Sequence, residues 1–150
     1  MNKKRIGFYP GTFAPFHKGH LNILGHSDKI FDQVIIGVGC NPEKDDMSRY
    51  RENHYFPGNY SVHYYRCLTT EKMKELSLEC DADVYLILGC RNESDFQINM
   101  TTVQVMRDID PDLKYIMLIS DPEFRHISSS MIRGLMRFEG YNWRKYLIGG

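Results

Sequence analysis

The sequence predicts an α/β fold, a doubly wound parallel sheet, and three observations carry that reading. Apolar runs at 6–9, 34–38 and 84–88 are too continuous for strands with one wet face, and they suit strands buried on both sides. Stretches with helical spacing alternate with these runs at short intervals, the order that gives parallel strands joined by right-handed crossovers. The most polar motifs follow directly on strands, which is where open parallel sheets hold their ligands.

The elements follow in order. Residues 5–10 form a first strand. In 20–31, Leu21, Ile23, Leu24, Ile30 and Phe31 can line one broad face of a helix. Val34-Ile35-Ile36-Gly37-Val38 is the second strand, ended by the polar loop Asn41-Pro42-Glu43-Lys44-Asp45-Asp46. The stretch 47–59 has no clear period, and Pro57-Gly58-Asn59 within it reads as a turn. Residues 61–66 suit a strand, and 70–80 a helix capped by Thr69 or Thr70. A strand at 84–88, a helix at 95–108 and a strand at 115–119 come next. Three serines open a helix at 128–138, and 143–147 suits a short terminal one. A single domain over 1–150 is expected, because the length leaves no room for a second full core.

Composition narrows the function. Hydrophobic residues are 42% and charged residues 25%, the balance of a soluble globular chain. Lysines and arginines equal the acids at 19 each, so no basic excess favours bulk binding to nucleic acid or to an anionic membrane. A local basic pocket for one nucleotide is compatible with that balance. No segment reaches the roughly 20 apolar residues of a spanning helix. The basic start Met1-Asn2-Lys3-Lys4-Arg5 leads into a strand rather than an apolar leader. Cys40, Cys67, Cys80 and Cys90 form no Cys-x-x-Cys pair, and no histidine pair completes a zinc pattern. No protein metal site is therefore expected, and the cysteines read as free thiols of a cytoplasmic protein. Tyr50, Tyr55, Tyr60, Tyr64 and Tyr65 cluster as either a subunit contact or a substrate wall.

Gly11-Thr12-Phe13-Ala14-Pro15-Phe16-His17-Lys18-Gly19-His20-Leu21 is the most informative stretch. It sits at a strand-to-helix turn, where unpaired N–H groups and a positive dipole end suit phosphate. Histidine donors there strengthen their hold as negative charge builds on a phosphoryl group. Gly11, Thr12, Phe13, His17 and His20 are thus candidate phosphate-binding residues. The commoner phosphate loops do not fit: Gly37-Val38-Gly39 supplies only two-thirds of a dinucleotide fingerprint. A second motif, Gly89-Cys90-Arg91, follows the strand at 84–88. Gly89 lets backbone approach a ligand closely, and Arg91 offers a planar fork of donors for phosphate oxygens. Asp95 either caps the next helix or holds Arg91. The third motif is Ser128-Ser129-Ser130. Three serines exceed what one cap requires, so the surplus hydroxyls and free amides suit the β- and γ-phosphates of a nucleotide. Arg133 lies one turn on.

His-x-Gly-His after Gly-Thr-Phe-x-Pro is the signature of the nucleotidyltransferase superfamily. Within it, the chain resembles the phosphopantetheine adenylyltransferases over most of its length. The likeness runs through Tyr9-Pro10-Gly11-Thr12-Phe13, Gly19-His20-Leu21, Asn41-Pro42-Glu43-Lys44, Gly89-x-Arg91, Ser94-Asp95-Phe96, Pro122-Glu123-Phe124 and Ile127-Ser128-Ser129-Ser130. The resemblance implies a Rossmann-like fold of the nucleotidyltransferase type. It implies that ATP and 4′-phosphopantetheine give dephospho-coenzyme A and pyrophosphate, by direct in-line attack on the α-phosphorus. It sets Thr12 and His20 at the reacting phosphates, Lys44 on the acceptor phosphate, and Arg91 with the serines on the ATP phosphates. Mg²⁺ accompanies the triphosphate, and a homo-oligomer, often a hexamer, is implied. This chemistry needs no strong base, since the attacking phosphate is already anionic.

The sequence departs from that family at several positions. Ala14 stands where Asp is usual, and His17 where Thr is usual. Leu88 replaces an arginine expected to bind the acceptor, Ile98-Asn99 replaces a Tyr-Glu pair, and Arg133 stands where lysine is common. The tyrosine-rich stretch 49–65 replaces a recognisable helix after the lysine loop. These changes fall on acceptor and base recognition rather than on the phosphate grip. They leave open another acceptor, nicotinamide mononucleotide with ATP or a phospho-alcohol with CTP, and a non-catalytic nucleotide-binding protein. They also leave open that Arg49 or Arg51 has taken over the acceptor role.

Overall fold

The computed structural model describes residues 3–40 and 56–149. In chain order the elements are β1 (Lys4–Gly11), α1 (Lys18–Asp28), β2 (Gln33–Gly39), β3 (Ser61–Tyr65), α2 (Thr69–Cys80), β4 (Ala82–Cys90), α3 (Glu93–Ile109), β5 (Lys114–Ile119) and α4 (Ser129–Leu135). Short 3-10 turns at Pro122–Phe124 and Trp143–Tyr146 follow β5 and α4. The strands form one all-parallel sheet in the order β3-β2-β1-β4-β5. The chain thus steps outward from β1 twice, once toward β3 and once toward β5, and the split falls at the carboxyl ends of β1 and β4. Among the described residues no helix is long and apolar enough to cross a membrane.

Both faces of the sheet are buried, as the continuous apolar runs predict. Val34, Ile36 and Val38 of β2 pack into one cluster with Ile23 and Leu24 of α1. Ile35, on the opposite face, joins Ile6, Phe8 and Leu86 against Met73 and Leu76 of α2. Three local expectations shift. Leu21 points outward, 38% exposed, while Gly19, Ile23, Leu24 and Ser27 form the buried face of α1. Helix α2 begins after Leu68, which makes no side-chain cap, so Thr69 and Thr70 lie inside it. Helix α4 stops at Leu135, because its closing bonds come from the Met136 amide just past Gly134.

Candidate active site

Helix α1 starts at the carboxyl end of β1, and its first turn is closed by two histidines. His17 is the N-cap: its Nδ1 accepts hydrogen bonds from the amides of Gly19 (3.0 Å) and His20 (3.4 Å). The His17 amide in turn donates to Nδ1 of His20 at 3.1 Å. This is a capping box built from imidazoles rather than from a hydroxyl and a carboxamide. The two rings stack at 3.7 Å between centroids. Burial pushes the His17 pKa down to about 3, with Arg91 adding to the shift. Burial also holds His20 well below its usual value, helped by His17 and Arg91. Both rings are therefore neutral at neutral pH. Because each uses Nδ1 as an acceptor, each carries its proton on Nε2.

Aromatic side chains fix His20 in place. Phe13 meets its ring edge-on at 4.8 Å, Phe16 lies at 5.2 Å and Tyr9 at 6.2 Å. Phe13 reaches that position with φ at 49°, a left-handed conformation that bulky residues seldom adopt. Distant residues hold the loop that allows it. The Ser129 hydroxyl donates to the Pro15 carbonyl (2.8 Å), and Arg133 donates to the Ala14 carbonyl (2.7 Å).

On the other side of the split, Arg91 follows β4 and is clamped by Asp95. Its Nε and Nη2 donate to the two carboxylate oxygens at 2.8 and 3.0 Å, and Nη1 donates to the Ile127 carbonyl at 3.2 Å. The paired hydrogen bonds raise the Arg91 pKa and lower that of Asp95. Asn92, not Asp95, caps α3, its side chain accepting from the Asp95 amide. One turn further on, Asn99 donates to the Gly89 carbonyl at 2.9 Å. A Cβ on Gly89 would meet the Ile23 side chain tightly at 3.2 Å and the Tyr9 hydroxyl at an ordinary 3.5 Å.

A cleft of about 270 Å³ opens between these parts. His17, His20, Gly89, Arg91, Ser128 and Ser129 all line it, so the three polar motifs meet on one surface. The other candidates stand elsewhere. Phe13 is buried beneath His20 and supports it. Gly11, Thr12, Ser130 and Arg133 do not line the cleft. A Cβ on Gly11 would meet the Phe13 ring at 2.9 Å, so that glycine makes room for the aromatic wall. Lys44, Arg49, Arg51, Tyr50 and Tyr55 lie outside the described residues. Two tyrosines of the predicted cluster have local roles: Tyr60 donates to Asp28, and the largely buried Tyr65 packs on Phe8.

Ser120 also lines the cleft and was not singled out by the sequence, whereas Tyr9 and Asn99, named there through the family likeness and its departures, line it too. Leu88 lines the cleft as an apolar wall. Among the described residues, no group of three or more His, Cys, Asp or Glu side chains is placed to hold a metal ion.

The buried imidazoles make acid stability a measurable property of the site. Unfolding returns His17 to its ordinary value of 6.5, while the folded protein holds it near 3. Between those limits the unfolded chain binds the extra proton. Stability is therefore whole above pH 6.5 and falls by about 1.4 kcal/mol per pH unit below it from this residue alone. Thermal melts from pH 8 to 4 should show a steep loss that flattens in His17→Thr. Identical pH slopes for the two proteins would exclude the buried neutral ring.

Residues 8–135 match the cytidylyltransferase-like family. The phosphopantetheine adenylyltransferase of Cytophaga hutchinsonii is 34% identical over 146 residues, covering 91% of this chain and 92% of its own. That of Mycoplasma capricolum is 33% identical over 137 residues, covering 86% and 94%. A bifunctional NMN adenylyltransferase/ADP ribose pyrophosphatase from Francisella tularensis, solved with AMP and a manganese ion, shares the fold at a TM-score of 0.53 and 16% identity. That match takes in 96% of this chain but spans only 44% of the larger protein. The parallel sheet, the imidazole-capped first helix and sequence identity along nearly the full length agree: the chain belongs to the cytidylyltransferase-like family of nucleotidyltransferases, among the phosphopantetheine adenylyltransferases.

Proposed function

We propose that this enzyme moves AMP from ATP to 4′-phosphopantetheine, giving dephospho-coenzyme A and pyrophosphate. The observation that carries the reading is the His17–His20 pair, two neutral rings whose free proton sits on Nε2 at the edge of one cleft. A neutral N–H donor aimed at a phosphoryl oxygen grows in value as negative charge gathers there. His20 stabilises the α-phosphorus as it is attacked in line, with Thr12 beside it. Arg91, held planar by Asp95, presents its remaining N–H groups to the ATP phosphates. Ser128 and the free amides at the start of α4 receive the β- and γ-phosphates, Ser129 and Arg133 brace the loop through the Pro15 and Ala14 carbonyls, and Gly11, Phe13 and Gly89 shape the backbone around them. Ser128 also caps α4 by accepting from the Met131 amide, and its hydroxyl lies 3.4 Å from that of Ser130. Lys44 grips the acceptor phosphate.

Charge limits what the cleft achieves alone. Arg91 and Asp95 offset each other, and both histidines are neutral. Asp95 is engaged by Arg91, and the described residues offer no metal cage. In this reading Mg²⁺ enters with ATP as substrate, held by phosphate oxygens and water. The reading treats 1–150 as one catalytic domain, active in the cytoplasm as a homo-oligomer, a hexamer in the family's form. In support of that compartment, all four cysteines are free thiols.

Pyrophosphate release tests the proposal. ATP with 4′-phosphopantetheine should give product, whereas ATP with nicotinamide mononucleotide, or CTP with a phospho-alcohol, should not. Turnover with one of the latter pairs alone would reassign the acceptor. Tight ATP binding without release from any acceptor would make the protein a nucleotide sensor.

A further inference from the structure

The chain from the end of β5 to the start of α4 forms one edge of the cleft. Ser120, Ile127, Ser128 and Ser129 all line it, and the Ile127 carbonyl receives Arg91. The far end of this strap is tied down by the Ser129 bond to the Pro15 carbonyl. The near end is tied to α1 by Asn22, His26 and Asp121, none of which lines the cleft. Asn22 Nδ2 donates to Oδ2 of Asp121 at 2.8 Å, and the Asp121 amide donates to Oδ1 of Asn22 at 2.9 Å. His26 stands one helical turn beyond Asn22, with its Nε2 at 3.0 Å from the other carboxylate oxygen. The bonds from Asn22 and His26 hold the Asp121 carboxyl below its usual value. A carboxylate only accepts, so Nε2 of His26 carries a proton.

Capping does not explain this network. Asp121 directly precedes the 3-10 turn Pro122–Phe124, where an aspartate ordinarily accepts from the amides of its own turn. It makes no such bond. Both carboxylate oxygens and the amide are engaged instead by a helix 95 and 99 residues earlier in the chain. Two reciprocal bonds, one of them through the backbone, allow the loop a single register against α1. The neighbouring Ser120 is fixed from the other side, its amide on the Cys90 carbonyl and its carbonyl under Arg125. The helix held in this way begins with His17 and His20. The strap held in this way presents Ser128 and receives Arg91. The network thus joins the two walls of the cleft without entering it.

We propose that Asp121 is a positioning residue for the nucleotide, setting through Asn22 and His26 the spacing between the histidines of α1 and the Ser128–Arg91 wall. The inference rests on the adenylyl-transfer reading and deepens it. Groups on both walls must reach one triphosphate together, and a misplacement of about 1 Å in such a constellation costs on the order of a hundredfold in rate.

Exchange of the two polar partners tests the assignment. Asn22→Asp alone sets two carboxylates against each other, and Asp121→Ala removes the acceptor. The Asp121 and His26 side chains are 41% and 34% exposed, so the fold tolerates these changes. Each should weaken ATP binding by calorimetry, and lower kcat, by about tenfold, with Tm and the acceptor KM close to wild type. The double variant Asn22→Asp/Asp121→Asn should restore both. In it the new carboxylate on α1 accepts from the loop amide and from the new carboxamide, whose oxygen accepts from His26. Wild-type ATP affinity and kcat in the two single variants, a double variant no better than Asn22→Asp, or losses that only track a falling Tm would overturn the assignment. A wild-type protein that binds ATP but transfers to no acceptor fails the proposed reaction, while the ATP affinities of the variants still decide the role of Asp121.

Discussion

Replacing His20 with alanine should lower kcat by about 10²–10³ while ATP binds almost as before. The ring is set up for a role that matters most at the transition state. Its Nδ1 is occupied by the His17 amide, its faces and edges are enclosed by His17, Phe13 and Phe16, and its pKa is depressed by burial. A side chain so constrained cannot turn to meet the substrate, so in the proposed mechanism its Nε2 proton is positioned before the substrate arrives. In the proposed mechanism Arg91 and the substrate metal carry ground-state attraction, to which a neutral donor adds little. His20→Ala also removes the capping acceptor, which costs about 1 kcal/mol of helix stability. His20→Gln, which keeps a polar amide, separates that cost from the catalytic loss. Pyrophosphate release at saturating substrates gives kcat, and calorimetry gives the ATP affinity. Near-normal turnover in His20→Ala would remove this residue from the mechanism.

The second large effect is expected on stability, at Gly37. A Cβ there would lie 2.2, 2.7 and 2.9 Å from three atoms of the Phe8 ring. That ring is fully buried and packs on Tyr65, so it has nowhere to move. Gly37→Ala should cost about 3 kcal/mol by overpacking, a fall of about 10 °C in Tm for a chain of this size. Phe8→Leu shortens the obstructing side chain and should recover more than half of that loss in the double variant. Equal Tm values for wild type and Gly37→Ala would show that the ring yields freely.

Gly37 also illustrates how far the sequence could be read. As part of Gly37-Val38-Gly39 it looked like the fragment of a nucleotide fingerprint, yet its glycine serves packing. The strand runs were legible because a parallel sheet buried on both faces leaves a continuous apolar signal. The meeting of the three motifs was legible for the same reason, since strand order sends each turn to one edge of the sheet. His17 was harder. A histidine at a helix start suits a cap or a phosphate equally, and only the tertiary path shows its Nδ1 turned back onto the Gly19 and His20 amides. Leu21 fits a helical apolar stripe but falls just outside the arc that the sheet covers. Thr69 and Thr70 satisfy a capping rule, but the chain enters α2 one residue earlier, at Leu68. Asn99 was legible only as a departure from a family pair, because its bond to the Gly89 carbonyl depends on how α3 returns to the end of β4.

The bonds from Ser129 and Arg133 to the carbonyls of Pro15 and Ala14 join segments 114 and 119 residues apart. During synthesis, the turn that carries both histidines leaves the ribosome long before the groups that brace it. Until α4 emerges, the Ala14 and Pro15 carbonyls lack both of these donors. A site that needs this loop braced is thus complete only once α4 has been made.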